Sequence, residues 1–80
     1  MIEQDLKNSN KVVGLKQSKK ALVDRVAKIV FIAKDADKRI KDEIITLCNE
    51  NRVQMIYVDT MKQLGHECGI DVGAAVACIF

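Results

Sequence analysis

Proline and tryptophan are absent from the sequence, and aromatic side chains are scarce, with Phe31, Tyr57 and Phe80 alone. A core must therefore be aliphatic, built from Val, Ile, Leu and Ala, and the multiple stacking platforms typical of single-strand nucleic-acid binders are missing. Long apolar runs are absent too. No stretch approaches the roughly 20 residues of a membrane-spanning helix, and the longest candidate, Gly73 to Phe80, has the length of a strand. The segment Met1-Ile2-Glu3-Gln4-Asp5 shows no basic segment followed by an apolar core, so no secretory signal is expected. The cysteines, Cys48, Cys68 and Cys78, are odd in number and lack paired spacing, which argues against a disulfide framework and for a reducing compartment. A cytoplasmic protein without a membrane partner is expected.

What is present is globular: 49% apolar residues, 30% charged residues and a mean hydropathy of +0.01, with no low-complexity stretch. Eighty residues make one domain, 1–80, of a size that buries only a modest fraction of its surface. An enclosed active-site cavity is not expected. The net charge of +2 is unevenly spread. From Lys11 to Lys28 there are six bases (Lys11, Lys16, Lys19, Lys20, Arg25, Lys28) against Asp24, and from Asp42 onward six acids against Arg52 and Lys62. That asymmetry points to a local anionic partner, although charge runs are also common on solvated helix faces.

Residues 2 to 9 read as a short helix with Ile2 and Leu6 on one side. Val12 and Val13 form a short strand ended by Gly14, whose missing Cβ permits a sharp turn. Residues 16 to 26 read as a helix with Leu22, Val23 and Val26 inward. Residues 28 to 33, KIVFIA, are a β-branched and aromatic run too short for a helix, the signature of a strand covered on both faces. Asp37 follows a polar loop and is placed to cap a helix from about 38 to 50, with Ile40, Ile44, Ile45, Leu47 and Cys48 at helical spacing. Residues 53 to 58, VQMIYV, make another buried strand. Asp59 or Thr60 then caps a helix from 61 to about 67 that stops at Cys68-Gly69, and a last strand runs from about 74 to 79. Strand and helix alternate throughout. The expected class is α/β, a three-layer α/β/α sandwich around a central mixed, mostly parallel sheet of about four strands.

Two stretches carry functional signal. In Gly14-Leu15-Lys16-Gln17-Ser18-Lys19-Lys20 a glycine turn opens a helix bearing three cations and an amide. Lys16 and Lys20 are spaced i, i+4, and Gln17 lies three before Lys20, so all three project from one face of the first turns. The helix N-terminus adds unpaired amides and a partial positive charge, which suit a phosphate. In Leu64 to Val76 a loop bounded by Gly69 and Gly73 holds Ile70, Asp71 and Val72, and its brevity favours exposure of at least one apolar side chain. Singly exposed hydrophobes are also ordinary, so an interface and a merely structural loop both stand at this point.

The motifs Gly14-x-Lys16-Gln17-x-x-Lys20, Ala33-Lys34-Asp35-Ala36-Asp37 and Leu64-Gly65-x-x-Cys68-Gly69-Ile70-x-Val72-x-Ala74-Ala75 resemble those of the L-seven-Ae ribosomal protein family and its relative L-thirty-e. The match runs from about Val12 to Phe80 and looks most like the short bacterial members. The resemblance implies a protein without cofactor or catalytic residues that binds kink-turn RNA, a helix bent at an internal loop beside tandem sheared G·A pairs. Carried over, Lys16, Gln17 and Lys20 read the edges of those pairs. Ile70, Asp71, Val72 and Gly73 pack on an extruded loop base, and Asp37 lies where a family acid lines that base's pocket. Lys16 stands where the family usually has Asn, and Gln17 where it has Glu. Lysine still donates to guanine O6 and N7, and glutamine both donates and accepts, so contacts remain feasible with altered partners.

Lys19 and Lys34, with Lys11 and Lys28, are further candidates for phosphate contact, positioning RNA rather than reading it. The implied partner is structured RNA, ribosomal or riboswitch, bound by a monomer, with no DNA specificity. Rival readings remain. Ile70 and Val72 would equally dock a protein partner, with the lysines serving only solubility. His66, Glu67 and Cys68 are adjacent and invite a Cys/His nucleophile, but neighbours on a helix diverge and no oxyanion element is evident. A metal site is not expected, because the cysteines form no C-x-x-C pair.

Overall fold

The computed structural model describes Leu6 and residues 10–80. The helix expected over residues 2 to 9 lies outside the described residues, except that Leu6 is fully buried in the core. Seven elements follow in order: β1 (Lys11–Val13), α1 (Leu15–Val23), β2 (Ile29–Ala33), α2 (Lys38–Asn51), β3 (Gln54–Val58), α3 (Met61–Cys68) and β4 (Val76–Ile79). The α/β sandwich with a four-stranded mixed sheet is thus as expected.

The sheet is not mostly parallel in its pairings. Strand order is β1-β4-β2-β3, and only β2 with β3 is parallel, whereas β4 pairs antiparallel with both β1 and β2. Three strands run one way and β4 alone runs the other. Strand and helix alternation favours parallel neighbours joined by crossovers; here the last strand inserts reversed between the first two.

Insertion also decides burial. The two central strands are covered on both faces: Val30, Ile32, Val76 and Cys78 pack toward α1 and α2, and Phe31, Ala33, Ala77 and Ile79 pack with Leu6, Leu64 and Cys68 on the opposite side. Each large apolar side chain fully buried contributes roughly 1.5–3 kcal/mol, and Val30, Phe31, Ile32 and Val76 of these strands share the core with Leu22, Ile44 and Leu64 of the helices. By contrast β3 lies at an edge, and its expected burial fails: Gln54 and Tyr57 are exposed and only Val58 is buried.

Helix α1 ends earlier than the apolar pattern suggests. Its inward stripe is Ser18, Ala21 and Leu22, spaced i, i+3, i+4. Val23 lies about 100° further around the helix and is exposed, as is Val26, which lies beyond the Asp24 cap and the left-handed Arg25. Ser18 is fully buried, and its Oγ has no hydrogen-bond partner among the described residues. Such a hydroxyl is a liability of about 1–3 kcal/mol. Ser18→Ala is therefore expected to raise the melting temperature by about 4–8 °C for each kcal/mol recovered. Thermal unfolding followed by circular dichroism checks this, and a lower melting temperature would mean that the hydroxyl finds a partner in solution.

The other two helices are capped as their sequences suggest. Asp37 accepts a hydrogen bond from the Arg39 amide at 2.8 Å at the start of α2, and Thr60 Oγ1 accepts one from the Gln63 amide at 3.0 Å at the start of α3. Gly69 closes α3 in a left-handed conformation with φ 81°.

Candidate nucleic-acid interface

Four connections meet at one end of the sheet. There the amide of Gly14 donates to Val76 O at 2.8 Å, Ala33 N to Ala75 O at 2.9 Å and Lys34 N to Val58 O at 2.8 Å. These bonds gather the β1–α1 turn, the β2–α2 loop, the β3–α3 turn and the segment leading into β4. The stretches singled out from sequence, 14–20 and 64–76, are therefore neighbours through Gly14 and Val76 although they lie some fifty residues apart in the chain.

The start of α1 is left open. Gly14 has φ 105° and caps the helix without a side chain, and the first intrahelical bond runs from Ser18 N to Gly14 O at 3.1 Å. The amides of Leu15, Lys16 and Gln17 precede that bond and face outward from the helix start. Lys16 and Gln17 are exposed beside them. Among the described residues Lys16 makes no ion pair, whereas Lys20 holds Asp24 at 2.9 Å across one helical turn. That exposed pair is weak enough for Lys20 to exchange partners.

The loop after α3 is folded against its own helix. Ile70 N donates to Gly65 O at 3.1 Å and Ala74 N to Met61 O at 2.9 Å. Gly65 makes this possible: a Cβ there would overlap the carbonyl oxygen of Val72 and come within 3.1 Å of the Gly73 Cα. The loop backbone is consequently pinned while its side chains face out, Val72 being 69% exposed and Ile70 36%. A shallow depression of about 230 Å³ runs beside them, with Lys62 and His66 on its rim. From the far side, Asp35 Oδ1 accepts the Met61 amide at 2.8 Å, which ties the β2–α2 loop to the first residue of α3.

The remaining candidates divide. Lys34 lies at this end, paired with Asp59 at 3.3 Å, and Asp37 lies there too, with one carboxylate oxygen engaged by its own helix. Lys19 turns instead toward α2 and pairs with Glu43. Lys11 and Lys28 flank Ile79 at the opposite end of the sheet, which removes them from this surface. The charge asymmetry along the chain is thus partly cancelled in the fold, and Lys16 is the cation at the α1 start that stays uncompensated. Gly65 and Asp35 stand inside the motifs that carry the resemblance but had no role of their own assigned, His66 was weighed only in a Cys/His pair, and Lys62 was not read as functional. An isolated glycine inside a helical pattern was the available signal for Gly65; Asp35 acts on a residue 26 positions away, which local pattern does not reveal.

Burial pushes the Cys48 and Cys78 thiols up to about 11, and raises the Cys68 thiol above its ordinary value, with Lys11 only partly opposing. All three are buried and held as thiols at neutral pH, the opposite of what a cysteine nucleophile needs. Among the described residues no three His, Cys, Asp or Glu side chains cluster so as to hold a metal ion, and no helix is long and apolar enough to cross a membrane.

A mixed four-stranded sheet between helices, with an open basic helix start and a pinned apolar loop at one end, defines a class that the whole sequence matches. The chain belongs to the ribosomal protein L7Ae/L30e/S12e/Gadd45 family, whose model matches residues 1–80. It is similar to an RNA-binding protein of Caldanaerobacter subterraneus subsp. tengcongensis, 48% identical over 67 residues that span 84% of this chain and 82% of that protein. An RNA-binding protein of Halalkalibacterium halodurans is 44% identical over 68 residues, covering 85% of this chain and 83% of the relative. The RNA-binding protein YbxF of Geobacillus stearothermophilus is 40% identical over 77 residues, 96% of this chain and 94% of that one. Among solved structures, a protein of unknown function from Bacillus halodurans shares the fold with a TM-score of 0.81 at 18% identity, covering 96% of this chain and 74% of its own.

Proposed function

We propose that the protein is a single-domain, monomeric, non-enzymatic RNA-binding protein that recognises and stabilises kink-turn motifs in a structured RNA, ribosomal or riboswitch. The observation that carries this reading is the bond from Gly14 N to Val76 O, which joins the open, basic start of α1 to the segment bearing the exposed Ile70 and Val72. The family and the names of its relatives support RNA as the partner. In this reading Lys16, Gln17 and Lys20 meet the edges of the sheared G·A pairs, and the outward amides of α1 meet a phosphate. Ile70 and Val72, in the loop Ile70–Asp71–Val72–Gly73, pack on an extruded base. Lys34 positions the backbone, and the free oxygen of Asp37 accepts from the base. Because the surface fits the bent RNA better than the extended one, binding shifts the equilibrium toward the kink by the difference in affinity.

The test is a titration of a kink-turn RNA labelled on its two arms to report bending, beside a duplex whose G·A pairs are replaced by Watson–Crick pairs. Tight binding with bending of the kink-turn alone is expected. Weak, equal, salt-sensitive binding to both would reduce the basic face to a generic electrostatic patch and leave the apolar loop to a protein partner. In the same assay Lys20→Ala is expected to weaken kink-turn binding roughly tenfold, as the loss of a base-edge contact does. Equal affinity of this variant and the wild type would remove Lys20 from the interface.

A further inference from the structure

Beyond the two stretches legible in the sequence, α1 borders a second feature. Gln17, Lys20, Ala21 and Asp24 are spaced i, i+3, i+4, i+7 and form one stripe of the helix. This stripe faces Val12 of the edge strand β1, and together with Val26 and Phe80 it lines a groove of about 150 Å³. Val26 is 50% exposed and Phe80 40% exposed, so one wall is an accessible apolar surface with an aromatic ring. The other wall is polar. It offers the Gln17 amide, which donates and accepts, and beyond it the Lys20 ammonium and Asp24 carboxylate, 2.9 Å apart.

We infer that this groove binds an unpaired nucleobase of the same RNA, an inference that rests on the RNA-binding reading above. A base is flat, apolar on its faces and hydrogen-bonding along its edge, which matches a ring on one wall and a row of donors and acceptors on the other. When Lys20 leaves Asp24 for the sheared pairs, as in the reading above, the Asp24 carboxylate remains on this wall as an acceptor for a base amino group. The position also fits. The stripe starts at Gln17, in the first turn where the outward amides meet the RNA, and ends at Asp24, about 10 Å along the helix at 1.5 Å per residue. A strand that leaves the helix start along α1 therefore reaches the groove. Of the three aromatic residues, Phe31 is buried in the core and Tyr57 lies on the far edge strand β3, which leaves Phe80 as the stacking surface on this side.

The experiment follows backbone amide resonances of the isotope-labelled protein while tetraadenylate is added, beside an abasic tetranucleotide that supplies phosphates and sugars only. Tetraadenylate is expected to shift Val12, Ala21, Val26 and Phe80, and the abasic strand to leave them still. Phe80→Ala is expected to weaken the tetraadenylate effect roughly tenfold, with Phe80→Tyr restoring it. Equal shifts with the abasic strand, or shifts confined to Lys16 and its neighbours, overturn the groove. So does a groove that is silent to tetraadenylate yet shifts as the protein is concentrated, because a second copy of the chain then fills it. The kink-turn titration on the same sample separates the two levels of failure. No binding there sinks the RNA reading itself, whereas kink-turn binding with a silent groove sinks only the present inference.

Discussion

Gly65→Ala is expected to lower both the stability of the fold and its affinity for kink-turn RNA. The added methyl overlaps the carbonyl oxygen of Val72 and lies 3.0 Å from its carbonyl carbon. Both are backbone atoms, so no side-chain rotation relieves the clash. Either α3 moves away from the loop, opening the packing of Leu64 and Cys68, or residues 70 to 73 shift and release the bonds from Ile70 N and Ala74 N. Overpacking of this kind costs about 1–3 kcal/mol, a fall in melting temperature of about 4–8 °C for each kcal/mol. Displacement of the loop would remove the contact proposed for it with an extruded base, and a loss of at least about tenfold in affinity, near 1.4 kcal/mol, is expected. Thermal unfolding and the kink-turn titration read the two effects separately. A variant with wild-type values in both would show that the close approach of helix and loop is not kept in solution.

Val72→Glu is expected to do the reverse, abolishing most binding while leaving the fold intact. Val72 is 69% exposed, and substitutions at such positions usually change stability by less than about 0.5 kcal/mol. In the proposed complex, however, the new carboxylate would replace an apolar contact and face the polyanion, and a loss of about a hundredfold, some 2.7 kcal/mol, is expected. The milder Val72→Ala separates the two causes, because it removes the apolar contact without adding charge. Its effect is expected mainly on RNA that has the extruded base. If Val72→Ala weakened RNA with and without that base alike, the loop would not be packing on it.

Much of the fold was legible because the signals were local. The both-faces-covered character of β2 shows in the run Ile29-Val30-Phe31-Ile32-Ala33, and the caps Asp37 and Thr60 and the stop at Gly69 are each a matter of one residue type at a helix end. What misled was pairing at a distance. Residues 53 to 58 look as apolar as a central strand, but whether a strand is central depends on where β4 lands, and β4 lands on the other side of β2. The end of α1 was missed because Val23 and Val26 are as apolar as Leu22, yet Val23 lies about 100° around the helix from it and Val26 lies beyond the left-handed Arg25, so both are exposed.

The candidate site divides along the same line. Lys16, Gln17 and the glycine-bounded loop are visible in the sequence because each is a contiguous motif. The Asp35 bond to Met61, the fit of Gly65 under Val72 and the groove at Phe80 arise from elements that meet only in three dimensions. Lys19, read as a member of the basic edge, illustrates the converse. Its spacing on the helix sets it toward Glu43 of α2, and no count of charges along the chain reveals that.

The reversed, central position of β4 also governs the order of events as the chain is made. Among the described residues β1 pairs with β4 alone, so until residues 76–79 emerge it has no strand to pair with, and β2 has only β3. The parallel β2–β3 pair with its crossover helix can form early, but the amino-terminal strand and the start of α1 must wait for contacts more than sixty residues away in sequence. Long-range closure of this kind slows folding relative to a helical protein of the same length. It also couples the candidate interface to the last strand: the bond between Gly14 and Val76 needs residue 76 in place, so a chain lacking β4 has neither a finished core nor the juxtaposed helix start and loop.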